Sequence, residues 1–177
     1  MVLATYRGAM SSPIGGIALR RAGGSDAEQL TVVEREAGLA ALGHVFPPDR
    51  YPYPTAEVRA RWQRVLSEPH AACLVAQREG EIVGFLAWQG DTVEHLAVHP
   101  STMRRGVATT LLGQALDEIW ADHPEARLWV LRDNQVARAF YRGWTPTGLT
   151  RRAEFPPFPH ELQLAMARPQ VSAPATR

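Results

Sequence analysis

Gly106 and Ala108 follow a pair of arginines, Arg104 and Arg105, at the point where one apolar run ends and a longer one begins. Pro100 closes the first run, Thr92 to Val98, whose length and composition suit a β-strand. The second, Gly106 to Trp120, carries Val107, Leu111, Ala115 and Ile119 at four-residue spacing and stops at Pro124, the pattern of an amphipathic helix. Gly106 permits a positive φ, and Ala108 is small enough for a ligand to press on the backbone. Unpaired amides at a helix start, reinforced by the helix dipole, bind phosphate oxygens. Arg104 and Arg105 add positive charge beside them. Turn chemistry alone is equally met by a tight turn with two solvated arginines. All nineteen basic residues are arginine. Without a lysine there is no P-loop lysine, Schiff-base lysine or lysine base.

The stretch from Met103 to Ala108 resembles the pyrophosphate loop of the GNAT acetyltransferase superfamily, and the lead-in from His95 to Pro100 is similar to the strand before that loop. Asn134, Ala137 and Tyr141, followed by Gly143-Trp144, resemble the family's Asn–Ala–Tyr helix and the Gly-Phe after it. The likeness is strongest from Ile82 to Trp144 and consistent from Ile17 to Ala167. It implies an α/β fold of α+β type: a mixed, mostly antiparallel central sheet, helices on both faces, and a splay between the two middle strands. It also implies acetyl-CoA as acyl donor. Backbone groups of Leu96, Ala97 and Val98 would pair with the pantetheine arm as if it were an added strand. Amides of Met103, Arg104, Arg105, Gly106, Val107, Ala108 and Thr109 would hold the pyrophosphate. Asn134 would bond the pantetheine or nearby backbone, and Tyr141 would contact the cofactor and donate a proton to the departing thiolate. Asn134 and Tyr141 lie seven apart and so on one helical face. A phenol suits the acid role: it is protonated at neutral pH and its pKa, about 10, sits just above a thiol's, about 8.5. Met103 departs from the usual Arg or Gln, and the spacer between Tyr141 and Gly143 is shorter than usual, so the helix must end early.

Transfer to an amine requires a neutral nucleophile, whereas an alkylammonium has a pKa of about 10.4. Some group must therefore accept a proton. The family's strand glutamate falls at Thr92 here; Glu94, two residues on and on the same strand face, is the candidate base, with an idle strand glutamate as the equal alternative. His95 is expected to point the other way and His99 to sit in the loop. The two lack metal-ligand spacing on a helix and no cysteine pair accompanies them, so no metal is expected. Phe46, Tyr51 and Tyr53, in the proline-stiffened segment His44 to Pro54, are candidate acceptor contacts. Trp62 reads as core by its spacing, and Glu154 with Phe155 to His160 could close the other side. The expected activity is N-acetyl transfer from acetyl-CoA to a primary amine, of a small molecule or peptide, by direct attack in a ternary complex. Cys73, the only thiol, reads as a small apolar residue in a buried strand. The alternative is a non-catalytic acyl-CoA sensor or interaction module of the same fold.

The scaffold that must position these groups is one domain. A chain of 177 residues, 45% hydrophobic and 21% charged, fits a single core, here residues 17–168 between a mobile leader 1–16 and a mobile tail 169–177. A net charge of +1 leaves no footprint for nucleic acid, and no apolar run is long enough to span a membrane. A lone cysteine fits a reducing cytoplasm, and a homodimer is compatible with the sequence without being required by it. Strands are expected at Ile17–Arg21, Ala71–Gln77, Ile82–Trp88, Thr92–Val98, Leu128–Leu131 and His160–Ala167. Helices are expected after Ser25, with Glu28 completing a capping box, after a Thr55 cap, over Gly106–Trp120, and over Asn134–Arg142.

Overall fold

A computed structural model describes residues 16–169; apart from Gly16 and Pro169, the expected leader and tail lie outside the described residues. The elements run β1 (Ala18–Arg21), α1 (Ala27–Leu42), α2 (Thr55–Val65), β2 (Ala71–Arg78), β3 (Glu81–Gln89), β4 (Thr92–Val98), α3 (Val107–Asp122), β5 (Glu125–Leu131), α4 (Gln135–Phe140), β6 (Thr145–Arg152) and β7 (His160–Ala167). The seven strands form one mixed sheet in the order β1-β2-β3-β4-β5-β7-β6. Every neighbouring pair is antiparallel except β4 with β5.

Two apolar layers cover the two faces. Leu30, Val33, Val58 and Trp62 of α1 and α2 pack on Cys73, Val75, Phe85 and Ala87. On the other face Val107, Leu111, Ala115 and Ile119 of α3 meet Leu74, Leu86, Trp88, Val93, Leu128 and Val130. The helical stripes at three- and four-residue spacing are thus the buried ones. No described helix is long and apolar enough to cross a membrane.

Three local expectations are corrected. Ser25 and Glu28 form no capping box: a 3-10 turn, Gly24–Asp26, precedes α1, and it is the Asp26 carboxylate that accepts from the Gly23 amide at 2.7 Å. Glu28 pairs instead with Arg59. Thr55 is the first helical residue of α2 rather than its cap, which is Pro54. Strand β6 was not expected at all. Its eight residues are all exposed, with Pro146 and Gly148 inside it, so no buried alternation marks it, and pairing with β7 is what makes it a strand.

Candidate active site

Strands β4 and β5 run side by side but pair only at Thr92 with Arg127 and Val93 with Leu128. Beyond those rungs Trp129 to Leu131 pair with β7 alone, and Leu96 to Val98 with β3 alone. The His99 amide donates to the Val83 carbonyl at 2.9 Å, so strand alternation turns the peptide groups of Ala97 and His95 toward β3. Those of Leu96 and Val98 face the gap. Parted parallel strands leave N–H and C=O groups that an extended ligand can take up as an added strand.

The cleft opens directly onto the turn before α3. His99 begins a 3-10 turn, Pro100–Thr102, pinned by the buried Thr102 hydroxyl donating to the carbonyls of Val83 and His99. The Met103 amide folds back to the Pro100 carbonyl at 3.4 Å, which takes it out of the set expected to face a ligand. Arg104 at φ 59° and Gly106 at φ 82° then reverse the chain into α3. The amides of Arg104 to Thr109 find no acceptor among the described residues, and the first one satisfied is Thr110, on the Gly106 carbonyl at 2.9 Å. Six N–H groups without a protein acceptor thus lead into and open a 16-residue helix, an arrangement suited to an anion. Arg104 and Arg105 are exposed beside it with no carboxylate partner among the described residues. Gly84 makes this approach feasible: a Cβ there would lie 2.9 Å from Val107 Cγ1 and 3.2 Å from the Ala97 carbonyl oxygen.

Across the cleft, the Asn134 Oδ1 accepts from the Ala137 amide at 3.0 Å and caps α4. Tyr141 ends that helix, its amide donating to the Ala137 carbonyl. The short spacer lets Trp144 donate back to the Tyr141 carbonyl at 2.9 Å, and the two rings meet edge-on at 5.5 Å. Tyr141 is therefore buried in the α3-side core, against which Leu96 and Val98 also pack. Burial pushes its phenol well above the ordinary range, and its hydroxyl has no partner among the described residues.

The general-base candidate sits on an irregular strand. Ala87 pairs with His95 but Trp88 pairs with Val93, so Glu94 is the extra residue of a β-bulge. The bulge lies at a cavity of about 270 Å³ that Glu94 and His95 both line, with Val65, Glu68, Ala71, Ala87, Trp88 and Gln89. The signal was in the sequence, since Val93 and Leu96 are both apolar at a spacing of three, which strict alternation cannot put on one face. Partial desolvation raises the Glu94 carboxyl above the usual range, opposed by the Arg151 charge, although the residue is exposed. The His95 ring lies 5.3 Å from that of Trp62; burial, aided by the Arg61 charge, pulls its pKa down to about 4. Trp62, fully buried, donates its indole N–H to Glu34 at 2.8 Å, and Arg61 reaches the same carboxylate at 2.5 Å.

The three aromatic acceptor candidates lie elsewhere than on this cavity. Phe46 meets Tyr51 edge-on at 6.4 Å and Phe155 at 5.7 Å, which joins the α1–α2 loop to the β6–β7 loop. His44 Nε2 lies 3.2 Å from the Asp133 carbonyl oxygen, tying the same loop to the turn after β5. Tyr53 packs by Gly38, its hydroxyl buried without a hydrogen-bond partner.

An open parallel pair that leads into an amide cradle defines a protein built to hold a long, extended ligand ending in phosphate. Residues 39–144 match the model of the acetyltransferase (GNAT) family, and the chain belongs to that family. It is an acetyl-CoA-dependent acetyltransferase. No curated protein sequence matches it. Among solved structures it is similar to a GCN5-related N-acetyltransferase of Rhodopseudomonas palustris, at 21% identity and TM-score 0.69 over 92% of this chain and 99% of that one. It is also similar to the PaiA N-acetyltransferase of Thermoplasma acidophilum, solved with coenzyme A, at 20% identity and TM-score 0.61 over 83% and 97%. A third is the ribosomal-protein-S18-alanine N-acetyltransferase of Escherichia coli, at 18% identity and TM-score 0.65 over 88% and 96%. The residues present fit the family's cofactor, because unpartnered strand edges precede an unpartnered amide run in the order a pantetheine arm and a pyrophosphate require.

Proposed function

We propose that the protein transfers the acetyl group to a primary amine by direct attack in a ternary complex. The observation that carries this reading is the parting of β4 from β5 after Val93 and Leu128, with the amide cradle at one end and the Glu94–His95 cavity at the other. Leu96 and Val98 would hold the pantetheine arm by their gap-facing peptide groups, with Ala97 giving a small side chain beside it. Arg104, Arg105, Gly106, Val107, Ala108 and Thr109 would hold the pyrophosphate through backbone N–H groups. Asn134, its Oδ1 spent on the α4 cap, would offer its Nδ2 to the arm. When bound, acetyl-CoA supplies a thioester whose acetyl carbon an amine can attack.

Glu94 takes the ammonium proton, a task for which a carboxyl raised toward neutrality is better matched than an ordinary one. Tyr141, kept protonated by burial, would supply a proton to the departing sulfur, as a weaker donor than an ordinary phenol. Cys73 takes no acyl group: it is buried in β2 and its thiol is pushed up to about 12. Phe46 and Tyr51, with Phe155, and Tyr53 behind them, would flank the acceptor's approach.

The test is thermal unfolding with and without acetyl-CoA, followed by thiol release over a panel of primary amines. Ligand at about 100 times Kd stabilises by about 2.7 kcal/mol. Stabilisation with thiol release that requires an amine supports the reading. The absence of any shift would remove the cofactor assignment, and binding without release for any amine would make the protein a sensor of acyl-CoA.

A further inference from the structure

Which amine the protein accepts is addressed by the charges around the cavity under the β4 bulge. Glu68 and Glu94 both line it, and neither has an ion-pair partner among the described residues. Glu34, Glu118, Glu125 and Glu161 are each held by an arginine. The guanidinium groups that act on the cavity are already engaged. Arg61, whose charge acts on His95, is bonded to Glu34 at 2.5 Å. Arg151, whose charge acts on Glu94, is bonded to Glu161 at 2.5 Å and lies over the Trp129 ring at 4.3 Å.

The remaining wall is apolar, from Val65, Ala71 and Ala87. His95 lines the same cavity, partly buried with its ring 5.3 Å from that of Trp62 and without a hydrogen-bond partner among the described residues. Kept neutral, its ring carries one lone pair that accepts an N–H and no charge to repel a cation. The ring is only partly buried, and the cavity is where a donor can reach its nitrogen. An acceptor with one amine satisfies one carboxylate. An amino acid brings its own carboxylate against two others, which like-charge contact disfavours.

We propose that this cavity is the acceptor site and that it takes an alkyl diamine or polyamine, one nitrogen at Glu94 and His95 and a second, cationic nitrogen at Glu68. This rests on the amine-transfer reading above. The apolar wall receives the methylene chain between the two nitrogens.

The experiment is calorimetric titration of the CoA-saturated protein, where no turnover occurs, with 1,4-diaminobutane, n-butylamine and 4-aminobutyrate. The diamine is expected to bind about tenfold more tightly than the monoamine, with no detectable binding of the amino acid. Glu68→Gln removes the diamine advantage and Glu68→Arg inverts it. Glu57→Gln, an exposed carboxylate at the opposite end of α2, preserves it. Equal affinity for diamine and monoamine, or an advantage that survives Glu68→Gln, overturns the proposal. Thiol release from acetyl-CoA measured in parallel separates the two readings. A diamine advantage in binding with no release upholds the site and overturns amine transfer, whereas release without any diamine advantage does the reverse.

Discussion

Desolvation raises both Glu94 and Tyr141, which strengthens the base and makes the phenol a weaker donor than an ordinary one. A base works deprotonated, so turnover should fall as pH drops through the raised Glu94 value and stay level above it. Glu94→Gln is expected to lower kcat by about a hundredfold and to abolish that acidic limb; an unaltered pH profile would assign the base elsewhere. His95, held near a pKa of about 4, should contribute no limb near 6.5, where an ordinary histidine titrates. For Tyr141 the phenol is the protonated form at every working pH, because burial disfavours the phenolate. Tyr141→Phe keeps the ring in its place against Trp144 and should reduce kcat by about tenfold or more, with acetyl-CoA affinity little changed. If kcat is unaffected, the departing sulfur takes its proton from solvent.

Two contacts between elements hold the site open. Gly84 of β3 lets Val107 of α3 sit against β4, and a methyl group there has no room. Gly84→Ala should cost about 2 kcal/mol in stability and weaken acetyl-CoA binding by displacing the amide cradle. Val107→Ala in the same chain should recover part of both losses, so a double-mutant cycle by denaturant unfolding is the check; additive effects would mean that the two side chains do not meet. At the other edge of the sheet, Asp26 takes two bonds from Arg20 and one from Gly23, fastening β1 to the start of α1. These bonds hold the Asp26 carboxyl below the usual range. Its contribution is therefore fully present above the ordinary aspartate value, about 3.9, and is lost as pH falls through the lowered one. Asp26→Asn should destabilise by about 2 kcal/mol at pH 7, less than a fully buried pair because Arg20 is 38% exposed. The difference between the two proteins should shrink at pH 3, which urea unfolding at the two pH values will show.

Over the whole molecule, stability is distributed unevenly. Strands β2, β3 and β4 are covered on both faces, whereas β6 hangs from β7 with every residue exposed. Amide exchange should be slowest in β2 and β3 and fast in β6. Leu96, Val98 and Arg104 to Thr109 should exchange fast without ligand, despite lying beside a core, and should gain protection when acetyl-CoA is added. Protection of these amides in the free protein would mean that the cleft is closed by its own backbone.

Much of this was legible in the residues. The α3 stripe, the strand before it, and the glycine that starts it are local features, governed by periodicity and by φ, and a linear sequence carries both. The Asn134–Tyr141 segment was legible for the same reason, although its helix ends at Phe140, before the expected Arg142, with Asn134 and Tyr141 as its two caps. Three things were settled only by tertiary structure. Strand β6 has no buried face and exists through β7. Glu94 falls out of strand alternation because a bulge against β3 inserts one residue, which propensity does not encode and pairing does. The amide cradle expected to begin at Met103 begins at Arg104, because the 3-10 turn claims the Met103 amide. Sequence fixes what each segment prefers alone; the direction a side chain or amide finally faces depends on the partner strand, and that partner is distant in the chain.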